Sequence, residues 1–355
     1  MNNNDEFEKV PEASALTALP PNGRGFAPVT SSKPCGFLLR QGAPLNSRPV
    51  RRAAHPAMSQ SKLPRRLYKY RAFNVNTLRL LSQAEVYYAN PATFNDPLDC
   101  SPTIQVDTDR SLLEKLCYKM LVAAYGKERA LRDMGNHRDM STEYGNYKVD
   151  PETEAYYMRR LASDIKELLY REIEKRGVLS LAARWDCPLM WSHYADEHRG
   201  LCIEYDTTDN ACPKIKSVDY RRPRSIKVTD LVAWKLNGSA DAAKAIHDTF
   251  FFAKAPQWRY EREWRDINAS NGASSAPFRI SGIYFGLRCD AAVQTSIVKL
   301  YANAERSVKF YDLYPLDDSF RLKRRLIDTD EIKACGLRSS ALLDFKEVII
   351  DQTHA

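Results

Sequence analysis

From Leu67 onward the apolar residues fall into short runs of strand period and longer stripes of helical period, and the two kinds follow one another without strict alternation. That order limits the fold more than any other feature. A doubly wound sheet needs repeated strand–helix–strand units. This pattern instead predicts an α+β fold, a single mixed sheet of short strands with a helical insertion. Leu67-Tyr68-Lys69-Tyr70-Arg71 reads as the first strand. Asn74 or Asn76 is placed to cap a helix carrying Leu78, Leu80 and Leu81, and residues 86–89 form a second strand. Leu112, Leu113, Leu116, Cys117, Met120 and Leu121 keep the spacing of one buried helical face, as do Leu161, Ile165, Leu168, Leu169 and Ile173 within 150–176. The polar stretch 126–149 between them reads as an irregular connection. Further strands are expected at 178–183, 201–205, 218–220, 261–267, 280–285, 308–311 and 321–326, with helices at 189–195, 241–254 and 291–304.

Residues 1–63 are rich in Pro, Ser, Asn, Ala and Gly and sustain neither period, so a disordered N-terminal tail is predicted there. One ordered domain over 64–327 follows, then a C-terminal extension, 328–355. Met58 precedes Ser-Gln-Ser-Lys just before order begins and reads as an alternative start. The 355 residues carry a formal charge of +8, with basic clusters at 221–227 and 321–325 that suit either a solvated face or contact with phosphates and acidic surfaces. No run of about 18 apolar residues exists, and the N-terminus lacks the basic start and apolar stretch of a secretion signal. Eight cysteines are scattered without a Cys-x-x-Cys pair. Reduced thiols and a cytoplasmic location without a membrane partner are therefore expected.

Four segments carry polar and aromatic residues together. In the first, Tyr68 and Arg71 flank a strand, and the guanidinium is suited to a phosphate or carboxylate. The second, Phe94-Asn95-Asp96-Pro97-Leu98-Asp99, has the composition of a tight turn; Asn95, Asp96 and Asp99 offer polar groups on a loop. The third runs from Met190-Trp191-Ser192-His193-Tyr194 to Asp196-Glu197-His198-Arg199-Gly200. Its spacing fits neither a familiar zinc site with Cys187 and Cys202 nor a Gly-x-Ser-x-Gly elbow, so no metal is assigned. Phosphate or ribose binding suits Trp191, Ser192 and Tyr194 better. The fourth is Trp258-Arg259-Tyr260-Glu261-Arg262-Glu263-Trp264-Arg265. Read as a strand, it puts Glu261 and Glu263 on one face. That pairing suits catalysis, together with His193, or an ion-pair ladder with Arg259 or Arg265.

The order Leu-Tyr-Lys-Tyr-Arg, Phe-Asn-Asp-Pro-Leu-Asp, Met-Trp-Ser-His-Tyr-Ala-Asp-x-His-x-Gly, Tyr-Glu-x-Glu-Trp-Arg resembles a bacterial family, domain of unknown function 2971, over about 64–327. The resemblance implies a soluble cytoplasmic protein, in some members in settings suggestive of phage defence, and assigns no activity. The chain also resembles ADP-ribosyltransferases through Arg71, Ser192 and Glu263, in that order, with Glu261 completing Glu-x-Glu. The Ser-Thr-Ser pattern of those enzymes is absent, and a long helical stretch follows Arg71. That resemblance implies NAD as substrate, with Arg71 on a phosphate, Ser192 at the nicotinamide ribose and Glu263 stabilising the charge that develops as the glycosidic bond breaks. A nucleotide-acting enzyme is therefore expected. The alternatives are a metal-dependent nuclease using Asp96, Asp99, Glu261, Glu263 and His193, and a nucleotide-, nucleic-acid- or protein-binding module without catalysis.

Overall fold

The computed structural model describes residues 62–334 except 144, 209–214 and 305–306. Residues 1–61 of the expected tail, Met58 among them, and residues 335–355 of the extension lie outside the described residues. The chain begins with β1 (Arg66–Arg71), α1 (Val75–Ser82), β2 (Glu85–Tyr88) and β3 (Thr103–Gln105). Three helices follow, α2 (Arg110–Tyr125), α3 (Lys127–Thr142) and α4 (Pro151–Ile173). Next come β4 (Gly177–Ala182), α5 (Pro188–Tyr194), β5 (Leu201–Asp206), β6 (Lys216–Ser217) and β7 (Ser225–Lys227). After α6 (Val228–Lys235) and α7 (Ala240–Phe252) the chain returns as β8 (Glu263–Asn268), β9 (Gly272–Ser275) and β10 (Arg279–Phe285). It continues through α8 (Ala291–Leu300), β11 (Lys309–Leu316), β12 (Ser319–Leu326) and α9 (Asp330–Ala334).

Eight strands form one mixed sheet in the order β12-β11-β10-β5-β1-β4-β8-β6, so the α+β fold is as expected. Neighbours are antiparallel except β10 and β11, which are parallel. A parallel pair needs a crossover, and α8 supplies it. Ile297 and Val298 of α8 bury one sheet face with Leu67, Leu179, Leu181, Ile203, Ile283 and Phe285. By strand alternation Val178, Ser180 and Ala182 project to the opposite face. There α2, α4 and α7 build a helical core around Leu116, Leu161 and Phe250, while Tyr70, Trp191, Cys202, Tyr284 and Leu322 form a smaller aromatic core.

Helix starts follow the capping rule. Asn74, Asp109, Asp150, Ser239 and Asp290 each accept a backbone N–H of the first turn, which settles the choice between Asn74 and Asn76. Three expectations are corrected. Residues 127–142 are helical rather than irregular; α3 buries Ala130, Met134, His137 and Ser141, a stripe too small and polar for hydrophobic periodicity to reveal. The edge strand lies at Lys216–Ser217 instead of 218–220, where Asp219 forms only an isolated bridge to Ala253. Glu261 closes a 3-10 turn, Pro256–Glu261, and β8 starts at Glu263; Arg262 between them is left-handed at φ 47°.

A second left-handed segment matters more. Asp196, Glu197 and His198 have φ of 47°, 50° and 71° in succession, a strained turn for L-residues. It is held by His198 N–H to Trp191 O at 3.2 Å and Arg288 N–H to His198 O at 2.9 Å. Two glycines let the neighbouring strands close on it. A Cβ at Gly200 would sit 2.2 Å from the Arg71 carbonyl, and one at Gly286 would sit 2.1 Å from the His198 carbonyl. Gly200→Ala or Gly286→Ala is expected to lower stability by about 1–3 kcal/mol through overpacking. The readout is the urea unfolding midpoint, and an unchanged midpoint would show that the turn yields freely.

Candidate active site

The segment after β2 turns twice. Asp96 Oδ1 accepts Leu98 N–H at 2.8 Å, and Asp99 N–H donates to Asp96 O at 3.1 Å, which drives the Asp99 carboxylate inward. Arg265 of β8 waits there with no solvent exposure. Its Nη1 and Nη2 donate to Asp99 Oδ1 and Oδ2 at 2.9 and 2.6 Å, and its Nε and Nη2 to Glu263 Oε1 and Oε2 at 2.7 and 2.9 Å. Nη1 also donates to Phe251 O at 2.8 Å, so every N–H of the guanidinium is matched.

Lys254, just past α7, completes the cluster. Its Nζ lies 2.5 Å from Glu261 Oε2, 2.9 Å from Glu263 Oε2 and 3.3 Å from Asp99 Oδ2, donating to the two glutamates and forming an ion pair with Asp99. Glu261 Oε1 accepts the Tyr194 hydroxyl at 2.7 Å, and Asn95 Nδ2 approaches that hydroxyl at 3.5 Å. Trp258 Nε1 donates to Asp96 Oδ2 at 2.8 Å, and the His193 ring lies 6.2 Å from the rings of both Tyr194 and Trp258. Asn95, Asp96, Asp99, His193, Tyr194, Glu261 and Glu263, from three of the four sequence segments, are therefore brought together.

The two glutamates differ sharply in environment. Burial favours the neutral form of both. At Glu263 it is outweighed by Arg265 and Lys254, which hold the carboxyl well below its ordinary range. At Glu261 burial prevails, helped by the neighbouring Glu263 charge, and the carboxyl is pushed up despite Lys254. Burial also opposes the charge of Lys254, but Glu263 and Glu261 outweigh it and raise its proton affinity. The glutamates share Lys254 because of the left-handed kink at Arg262, not because strand alternation puts them on one face. On β8 the residue that shares Glu263's face is its ion-pair partner Arg265.

The remaining sequence-singled residues lie elsewhere. Trp191 is fully buried, its ring edge-on to Tyr70 at 5.2 Å and its Nε1 donating to Trp185 O at 2.7 Å, so it anchors α5. Ser192 is exposed on α5. His198 stacks on Trp191 at 6.1 Å, and its Nδ1 is buried without a partner among the described residues; burial and Arg288 lower its proton affinity. Arg71 makes no hydrogen bond or ion pair with the cluster, and burial lowers its proton affinity beside Tyr205 and Tyr87. Tyr68 lines a separate cleft. Lys69, between them on β1, donates from Nζ to Ser180 O at 2.7 Å; burial and the nearby Arg71 bring its ammonium down to about 7. Sequence reasoning passed over Lys254, although a lone cation directly after Phe250-Phe251-Phe252-Ala253 is the signal of a charge drawn into the core.

With this geometry in place the comparisons become informative. The family model described as Protein of unknown function (DUF2971) matches residues 190–265, a stretch holding Tyr194, Lys254, Glu261, Glu263 and Arg265. Over that stretch, which holds the third and fourth motifs, the chain is similar to the family they resembled. No curated protein and no solved structure matches the chain significantly. Among the described residues no helix is long and apolar enough to cross a membrane.

Removing one member of a buried ion cluster strands the rest, so Arg265→Leu is expected to cost about 3–5 kcal/mol in denaturant unfolding. A loss below about 1 kcal/mol, the scale of an exposed ion pair, would contradict the network. Lys69 gives a pH signature. Its folded value near 7 lies below the ordinary 10.5, so the unfolded chain binds more protons between those values and stability rises with pH across that window. The stability of Lys69→Met relative to the native chain should therefore fall from pH 7 toward 10.5. A flat difference across that range would contradict the assignment.

Proposed function

We propose that the chain is an enzyme acting on a nucleotide, with Glu261 as its working carboxyl. The observation that carries this reading is the convergence of segments 166 positions apart in sequence, from Asn95 to Glu261, on one acid with raised proton affinity. Two neighbouring carboxyls with opposed shifts divide the roles: Glu263 stays charged and structural, while Glu261, its proton affinity raised by burial, is the one that exchanges a proton. Tyr194 and Lys254 orient Glu261, and the rings of His193, Trp258 and Tyr260 flank it as stacking surfaces for a base or a nicotinamide.

In its sharpest form the reaction is transfer of ADP-ribose from NAD. The bond between ribose C1′ and the nicotinamide nitrogen breaks, and its electron pair leaves with neutral nicotinamide. A new bond forms from C1′ to the acceptor, whose proton passes to the Glu261 carboxylate. The acid in this role is Glu261 instead of Glu263, because Arg265 and Lys254 together hold Glu263 in its charged form, whereas Glu261 meets Lys254 and the neutral Tyr194 hydroxyl and has a raised proton affinity. The metal-dependent nuclease reading loses ground for a related reason: Lys254 Nζ occupies the point between three carboxylates where a dication would sit. A binding module without catalysis has one observation in its favour, the charge matching of Asp99 and Glu263.

Purified chain incubated with labelled NAD and acceptor protein should release nicotinamide. Glu261→Gln should reduce release by about 10²–10⁴-fold, the usual contribution of an acid–base group. Release that persists in the variant, absence of release from the native chain, or a strict demand for Mg²⁺ with nucleic acid would each overturn this reading.

A further inference from the structure

A cleft of about 430 Å³ opens beside β1, β5, β10, β11 and β12, away from Glu261, and lies within the size range of small-molecule sites. Four cations line it, Arg66, Arg279, Lys309 and Arg324, against two carboxylates, Glu204 and Asp206. The carboxylates are largely committed. Arg66 Nη1 lies 2.7 Å from Asp206 Oδ1 and its Nε 3.2 Å from Glu204 Oε1. Glu204 also accepts the hydroxyls of Ser281 at 2.8 Å and Tyr284 at 2.7 Å. Positive charge is left over at Lys309, which is exposed and has no ion pair among the described residues, while the only carboxylate that Arg324 meets among them is the shared Glu204, its Nη1 3.7 Å from Oε2.

Arg324 is held in a way that suits it for ligand capture. Trp185, Tyr284 and Tyr311 form a continuous stack, with centroid separations of 5.3 and 4.7 Å and interplanar angles of 23° and 28°. The guanidinium carbon lies 4.5 Å from the Tyr311 ring centroid, 5.4 Å from that of Tyr284 and 5.5 Å from that of Trp185. Stacking takes the planar cation out of rotameric exchange while 39% of its side chain stays exposed. A pre-positioned guanidinium pays little ordering entropy on binding an anion, and its fork matches a phosphate. Ser281, Tyr68 and Asp206 add hydroxyl and carboxylate groups that complement sugar hydroxyls more than bare anions.

We propose that this cleft binds an organic phosphate of about mononucleotide size, with Arg324 and Lys309 on the phosphate and the Asp206–Ser281 side on the sugar. The site is separate from Glu261 and does not rest on the reaction assigned there. The test is calorimetric titration of the full chain with AMP, ADP, adenosine and inorganic phosphate at fixed low salt. AMP and ADP should bind saturably, adenosine at least tenfold more weakly. Lys309→Ala and Arg324→Gln should each weaken ADP binding about tenfold or more with unchanged unfolding midpoints, whereas Glu261→Gln should leave that binding in place. No saturable phosphate binding, or binding unaffected by both cleft variants, overturns the site. Inorganic phosphate binding as tightly as ADP overturns the organic ligand. Loss of the ADP isotherm in Glu261→Gln with both cleft variants normal would place the ligand at Glu261 instead.

Discussion

Three carboxylates brought into a protein interior repel one another and lose their hydration, and the arrangement around Asp99, Glu261 and Glu263 stands only because Lys254 and Arg265 lie among them. The desolvation cost per buried ion is several kcal/mol, recovered only where geometry is close and every donor finds an acceptor. The guanidinium meets that condition with all five N–H groups matched, and the ammonium donates to Glu261 and Glu263 and forms an ion pair with Asp99. The consequence is cooperative. The loop bearing Asp99, the end of α7 and the start of β8 are tied to a single electrostatic solution, so none of them takes its place without the others.

What that solution leaves over is Glu261. It has the same ammonium as Glu263 but no guanidinium, and in its place the hydroxyl of Tyr194 on α5. α5 is in turn fixed by Trp191 against Tyr70 and by the left-handed turn that follows, which Gly200 and Gly286 admit between the ends of β1 and β10. The strain at Asp196–His198 is thus linked to where Tyr194 stands, and through it to the buried acid whose proton affinity is raised. Backbone strain stored beside such a group is the arrangement expected where position matters more than stability.

Much of this was legible in the sequence, for reasons that differ by element. The stripes of α2 and α4 and the alternation of β1, β5 and β10 are strong because their faces bury large side chains. α3 escaped because its buried face is Ala130, Met134, His137 and Ser141, with His137 held through Nε2 by Asp164 at 2.6 Å instead of by apolar contact. The polar-aromatic segments around Asn95, Tyr194 and Glu261 stood out by composition, and the structure joins them. The first segment reaches their cluster only through Lys69, which lies within electrostatic range of Glu263, Glu261 and Lys254; β1 meets β4 at a single register pair, Tyr68 with Ala182, and its other side chains serve the aromatic core and the cationic cleft. Two decisive features left no local trace. A left-handed Arg262 has no residue signature, since such backbone is usually taken by glycine or asparagine. The partners of Lys254 lie up to 155 positions away along the chain.

The central claim is that Glu261 belongs to the buried charge network through Lys254 while remaining its exchangeable member. A double-mutant cycle of Lys254→Met and Glu261→Gln, each stability taken from urea unfolding at neutral pH, tests it most directly. The account predicts a coupling of about 0.5–3 kcal/mol, because the first substitution removes the partner that the second would release. Additivity within about 0.3–0.5 kcal/mol would mean that the two side chains do not share one network, and the account would fail.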